Sequence, residues 1–197
     1  AVPASGRTLR ARLLDWLGVD IMRQTAANNT VFNSVVGISW FWFYGALCLA
    51  QLPNLARLHL GGDEAVTTLL LTVFSLGIGL GSLLCERMSG RVVEIGLVPF
   101  GALGLSLFAF DLYLAVPEAG PPAVAGVQAF VNDSRHWRVL GDLFAMALFG
   151  GFYIVPLYAL VQLRSPPDQR SRVIAANNIL NALFMVASAA AAIGLLS

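Results

Sequence analysis

"RSRVIAANNILNALFMVASAAAAIGLLS", residues 170–197, decides how the rest of the chain is read. Arg170 and Arg172 open it, and no charged residue follows before Ser197. A charge-free run of about 25 residues is long enough to cross a bilayer as a helix. Asn177, Asn178 and Asn181 then lie at membrane depth, where an amide without a hydrogen-bond partner is costly.

The composition extends this reading to the whole chain. Hydrophobic residues make up 57% and charged residues 12% of the 197 positions, with a mean hydropathy of +0.75. A soluble globular domain carries about 25% charge, so this balance points to a polytopic membrane protein. The net charge of +1 gives no reason to expect a nucleic-acid partner. Cys48 and Cys85 both fall in apolar runs and form neither a disulfide framework nor a metal site. No cofactor is implied. The start at "AVPASGRTLRAR" and the stop in "AAAAIGLLS" suggest a piece of a longer chain.

Five segments are long and apolar enough to span, at 31–52, 65–85, 92–116, 139–163 and 173–196. They are too long and too evenly apolar for barrel strands, so the expected fold is an all-α helical bundle. Residues 1–30 form a linker ahead of the bundle at 31–197. In that linker Leu9, Leu13, Leu17 and Ile21 recur every four residues among charged ones, a pattern for an amphipathic helix at the interface. A polar linker with incidental leucines is the plainer reading. Residues 117–138 form a long loop with room for a short helix over 123–131.

Arginine placement sets the orientation. Arg7, Arg10, Arg12, Arg23, Arg87, Arg91, Arg164, Arg170 and Arg172 fall on one side, against Arg57, Arg135 and Arg138 on the other. The richer side is expected to be cytoplasmic, with the N-terminus inside.

The sharpest local pattern is "GSLLCERMSGR", from Gly81 to Arg91. It resembles the loop signature of the major facilitator superfamily (glycine, an acid–arginine pair, then Gly-Arg), with one more residue between Arg87 and Gly90. In that family the acid and arginines gate the cytoplasmic side. The resemblance implies gate roles for Gly81, Glu86, Arg87, Gly90 and Arg91, and Glu94 is placed to pair with the arginines. A positive-inside loop with a turn glycine is the simpler alternative. Three further stretches resemble the lysophospholipid-transporter branch, in the form fused to a phospholipid-recycling acyltransferase: "NSVVGISWFWFYGALCLAQLPN", "GRVVEIGLVPFGALGLSLF" and "FGGFYIVPLYALVQLRSPPDQRSRVIAANNILNALFMV". The resemblance covers nearly everything from Thr30 onward. It implies that the five spans are helices seven to eleven of twelve, in a transporter flipping lysophospholipid across the bacterial inner membrane for reacylation. The expected partners are the remaining transporter helices, membrane lipids and an acyltransferase domain. Two alternatives stay open: proton-coupled export of small amphipathic drugs, and a membrane anchor that transports nothing.

The polar residues inside the spans are the candidate site. By helix rise Asn181 lies roughly 12 Å in, with Asn177 on the same face and Asn178 beside it. Tyr44, Ser75 and Tyr153 fall near the middle of their spans. Such amides, hydroxyls and rings can line a cavity for a zwitterionic head group; as an alternative they bond helix to helix. Asp111 and Asp142 sit near the less basic surface, as anchors for Arg135 or Arg138 or as coupling carboxylates. The glycines of "GIGLG" (Gly77, Gly79, Gly81) read as close helix packing, since no strand precedes them. His136 and Asp142 are too far apart in sequence for the glycerolipid acyltransferase pair, so catalysis is not expected.

Overall fold

The computed structural model describes residues 29–90, 94–117 and 126–196. Arg91 and the amphipathic stretch from Leu9 to Ile21 lie outside the described residues. Six helices run in order: α1 (Asn29–Asn54), α2 (Glu64–Met88), α3 (Leu97–Ala115), a short α4 (Gly126–Asn132), α5 (Arg135–Arg164) and α6 (Arg170–Leu196). There is no strand among the described residues. All but α4 are long and apolar enough to cross a membrane, so the chain is an all-α, multi-pass membrane protein.

Local chemistry sets the helix ends. α1 does not stop at Asn54 but continues as a π-helical turn, Leu55–His59. Pro53 has no N–H to give to the preceding turn, and the ladder resumes in a wider form, closing with Leu60 N–H to the Leu55 carbonyl at 3.1 Å. Gly61, at φ 63°, then turns the chain where a side chain would be strained. Asp63 caps α2: one carboxylate oxygen accepts the Ala65 and Val66 N–H groups at 3.0 and 3.1 Å. Its other oxygen accepts the Gly126 N–H at 2.8 Å, fastening the start of α4 to the start of α2. These three N–H groups, Val66 foremost, hold the Asp63 carboxyl below the usual carboxylate range.

α3 starts at Leu97, later than the run of apolar residues from Val92 suggests. Pro99 falls in its first turn, where the missing N–H is no loss. α5 starts at Arg135, ahead of the apolar run, because the Asp133 carboxylate accepts from both the Arg135 N–H and its guanidinium. The long connection after α3 contains α4, whose bounds fall slightly later than the expected short helix over 123–131.

α5 is the most buried span and the hub of the bundle. α2 and α3 pack on it, and α1 packs on both α5 and α6. The buried side chains form two cores at opposite ends of α5. One gathers Leu52, Val66, Leu70, Phe130, Val139 and Leu143. The other gathers Val31, Val35, Ile38, Ile154, Val161 and Val173. Between them α2 meets α5 backbone to backbone through glycine. A Cβ on Gly81 would strike the Leu148 backbone, and one on Gly151 would come within 2.6 Å of the Gly81 and Ser82 backbones. Close approach through small residues is how helices associate where hydrocarbon removes the hydrophobic drive. Gly79, between Gly77 and Gly81, takes no part: nothing lies within 4 Å of a Cβ placed there.

Candidate functional site

The residues expected to share one cavity fall into two neighbourhoods on different faces of α1. Tyr44 and Tyr153 line a crevice of about 460 Å³ between α1 and α3, with Trp40, Phe41, Leu105 and Ser106. Tyr153 stacks on Phe41 at 5.9 Å, and its hydroxyl donates to the Gly37 carbonyl at 3.3 Å. Tyr44 donates to the Met146 sulfur at 3.4 Å. A second crevice of about 860 Å³ shares Tyr44 and Ala109 with the first and runs toward the π turn, past Gln51, Asn54, Leu58 and His59. Together they make one groove, apolar along its walls and polar at the π-turn end. The His59 Nδ1 atom there is buried without a hydrogen-bond partner.

Asn177 and Asn181 face α1 from the other side. Asn177 is 1% exposed and Asn181 6%, and neither is among the residues lining the groove. Ser39, itself fully buried, donates to the Asn181 Oδ1 at 2.9 Å. The Asn181 amide donates to the Tyr158 hydroxyl at 3.4 Å, which also receives the Trp42 indole N–H at 3.0 Å. Three helices meet in this chain of bonds. Asn177 Oδ1 is buried and has no partner. Ser75 and Asn178 join neither neighbourhood. Ser75 is exposed, on the side of α2 away from the Val66–Leu70–Gly77–Gly81 stripe, and bonds its own helix at Leu71. Asn178 is exposed on α6. Ser39, Trp42 and Tyr158 were missed at the sequence level. A hydroxyl or indole in an apolar run carries no signal of its own until the facing helix supplies its partner.

The carboxylates at the opposite end of the bundle are brought together. Arg138 reaches Asp111 with two bonds, at 2.6 and 3.3 Å, tying α5 to α3. Asp142, one turn along α5 from Arg138, lies against the Asp111 carboxyl. It is only 5% exposed, and its Oδ2 has no partner. Arg135 pairs with Asp133, not with Asp111. Its guanidinium, with its own N–H, holds the Asp133 carboxyl down to about 2. His136 has a structural role: it stacks flat on Phe130 at 3.9 Å, and its Nδ1 meets the Phe130 carbonyl at 2.8 Å.

At the arginine-rich end Glu86, Arg87 and Gly90 line a surface cavity of about 570 Å³ with Leu83. Gly90 adopts φ 55°, a left-handed conformation that glycine takes without strain. Gly81 sits apart from them, in the α2–α5 backbone contact. Glu86, Arg87 and Glu94 are exposed and form no ion pair with one another.

Fold and site define a class: a multi-pass helical membrane protein with polar groups and grooves set within its spans. Comparison with protein families, characterised proteins and solved structures finds no match.

Proposed function

We propose that the chain is part of a secondary transporter of the major facilitator type that moves lysophospholipid across the bacterial inner membrane, with the arginine-rich end cytoplasmic. The observation that carries this reading is the groove between α1 and α3. Its walls are mostly apolar over the length of Trp40 to Leu55, where the Tyr44, Ser106 and Tyr153 hydroxyls bond within the protein, and Gln51, Asn54 and His59 gather at one end. That is the shape and polarity of a single-chain amphipath, acyl tail along the wall and head group at the mouth. The sequence likeness to the lysophospholipid-transporter branch supports the same cargo, and the Glu86–Arg87–Gly90 turn supports the same gate. Reacylation then falls to an acyltransferase outside these residues.

The test is uptake of lysophosphatidylethanolamine carrying a fluorescent acyl chain, in proteoliposomes with the protein and without it. Protein-dependent protection of the label from an external reductant is expected; equal rates with and without protein would end the reading. Proton-coupled export of amphipathic drugs is the second reading. Asp142 favours it, as a buried carboxyl with a free oxygen beside a second carboxyl. Drug-driven alkalinisation of the vesicle lumen, with no lysolipid uptake, would select it.

A further inference from the structure

The bonds at the α1–α5–α6 junction leave one hydrogen without a destination, and its identity follows from counting donors. Ser39 is fully buried, and its hydroxyl's one partner among the described residues is the Asn181 side chain. Six other span hydroxyls differ: Ser34, Thr68, Thr72, Ser75, Ser82 and Ser106 each donate to the carbonyl four residues back. A buried hydroxyl proton must go somewhere, so Ser39 donates and the Asn181 atom facing it is the oxygen. That fixes the amide's orientation and turns its NH₂ toward Tyr158. The Trp42 indole can only donate. The Tyr158 oxygen therefore accepts two hydrogen bonds, at 3.0 and 3.4 Å, and its own proton points away from both donors. No described group accepts it.

Depth makes this matter. Tyr158 is six residues from Arg164, the end of α5, or about 9 Å by helix rise, and its side chain leans deeper, toward the helix N-terminus. Lipid hydrocarbon offers no acceptor there. The ring is half-buried and Trp42 is exposed, so the hydroxyl is reachable from outside the bundle.

We infer that Tyr158 is a head-group contact, donating its hydroxyl proton to a phosphodiester oxygen of the cargo. A phosphodiester is an acceptor without protons of its own, and a bond to a charged acceptor is roughly twice as strong as a neutral one. The Trp42 and Asn181 donors orient the phenol and leave it donor-only, which selects against a group that must itself donate. The contact lies on the opposite face of α1 from the groove and nearer the arginine-rich end. It is a second station for the head group after the His59 end. The inference rests on the lysophospholipid reading above.

The experiment compares binding of lysophosphatidylethanolamine and of the monoacylglycerol with the same chain to the purified protein in detergent micelles. Tyr158→Phe should weaken the phospholipid by about tenfold or more, tenfold being the lower end of what one hydrogen bond to a charged group contributes, and leave the monoacylglycerol within about twofold. Trp42→Phe, which removes one of the donors that orient the phenol but keeps the phenol proton, should weaken the phospholipid by less than Tyr158→Phe does and leave the monoacylglycerol within about twofold. Equal losses for both ligands would place the contact elsewhere on the lipid and overturn the inference, as would a Trp42→Phe loss as large as that of Tyr158→Phe. A second measurement does not need the Tyr158 variant to fold. With Trp16, Trp40 and Trp137 changed to Phe, the emission of Trp42 should shift when the phospholipid binds, because the anion polarises the phenol that Trp42 bonds. Binding without a shift, or the same shift with monoacylglycerol, overturns it. If the unmodified protein binds no lysophosphatidylethanolamine, the transport reading fails and the contact falls with it. Binding that Tyr158→Phe leaves intact removes the contact alone.

Discussion

At the scale of single residues, the clearest energetic device is Asp63. Its two oxygens serve three backbone N–H groups on two helices, and the carboxylate form is the one that accepts them. Because the folded carboxyl titrates below the ordinary value of about 3.9, its stabilising contribution is complete above that pH. It is lost as pH falls through the lower folded value. Asp133, held down to about 2 by Arg135, acts in the same direction. Asp63→Ala should lower the melting temperature at pH 6, and the gap to the unmodified protein should close as the pH drops below about 4. A gap that stays constant down to pH 3 would mean that the carboxylate is not what caps α2. The buried amides make a second contrast. Asn181→Leu strands the Ser39 hydroxyl and removes a donor from Tyr158, so a stability loss of roughly 0.6 to 2 kcal/mol is expected. Asn177 has no partner for its Oδ1, and replacing an unsatisfied polar group by an apolar one of similar shape is near neutral or stabilising. Equilibrium unfolding of both Leu variants decides it; equal losses would show that Asn177 is bonded after all.

At the scale of elements, the helix contacts turn on which glycines meet a backbone. Gly77 and Gly81 are four apart and present one face of α2 to α5, where a Cβ would meet the Phe144 carbonyl or the Leu148 backbone. Gly81→Ala should therefore cost about 1–3 kcal/mol as helices are pushed apart. Gly79→Ala should be neutral or stabilise by up to about 1 kcal/mol, since it only removes backbone freedom within a helix. A steric-trap or denaturant measurement on the two variants separates packing from propensity. The sequence could name the glycine cluster but not its face, because hydropathy says nothing of which neighbour a helix meets. The same blindness explains Ser75 and Asn178, whose depth was legible and whose direction was not. Helix ends were shifted by features outside the apolar runs: the Asp63 and Asp133 caps, the tolerated Pro99 and the π turn after Pro53. The spans themselves were legible, since a long charge-free run has few other fates.

At the scale of the whole molecule, the bundle is polarised. Arg87, Arg164, Arg170 and Arg172 mark the end where α2 and α5 finish and α6 begins. Arg57, Arg135 and Arg138 mark the other, each paired with a carboxylate: Glu64, Asp133 and Asp111. Paired arginines at the second end present little net positive charge to a membrane surface. The charge bias that governs insertion counts basic residues near the ends of spans, and the sequence sets nine arginines at the first end against three at the second, so the first end should be retained on the cytoplasmic side. Single cysteines at two exposed positions test this in a Cys48→Ala, Cys85→Ala background. Gln128→Cys, on α4, should react with an impermeant maleimide in intact cells. Asp168→Cys, in the turn between α5 and α6, should react only after permeabilisation. The reverse pattern would put the Glu86–Arg87–Gly90 turn outside, remove its cytoplasmic gate role, and send the Tyr158 contact to the outer leaflet. It would also leave the bundle's fold untouched, because the two cores and the glycine contacts do not depend on which side of the membrane they face.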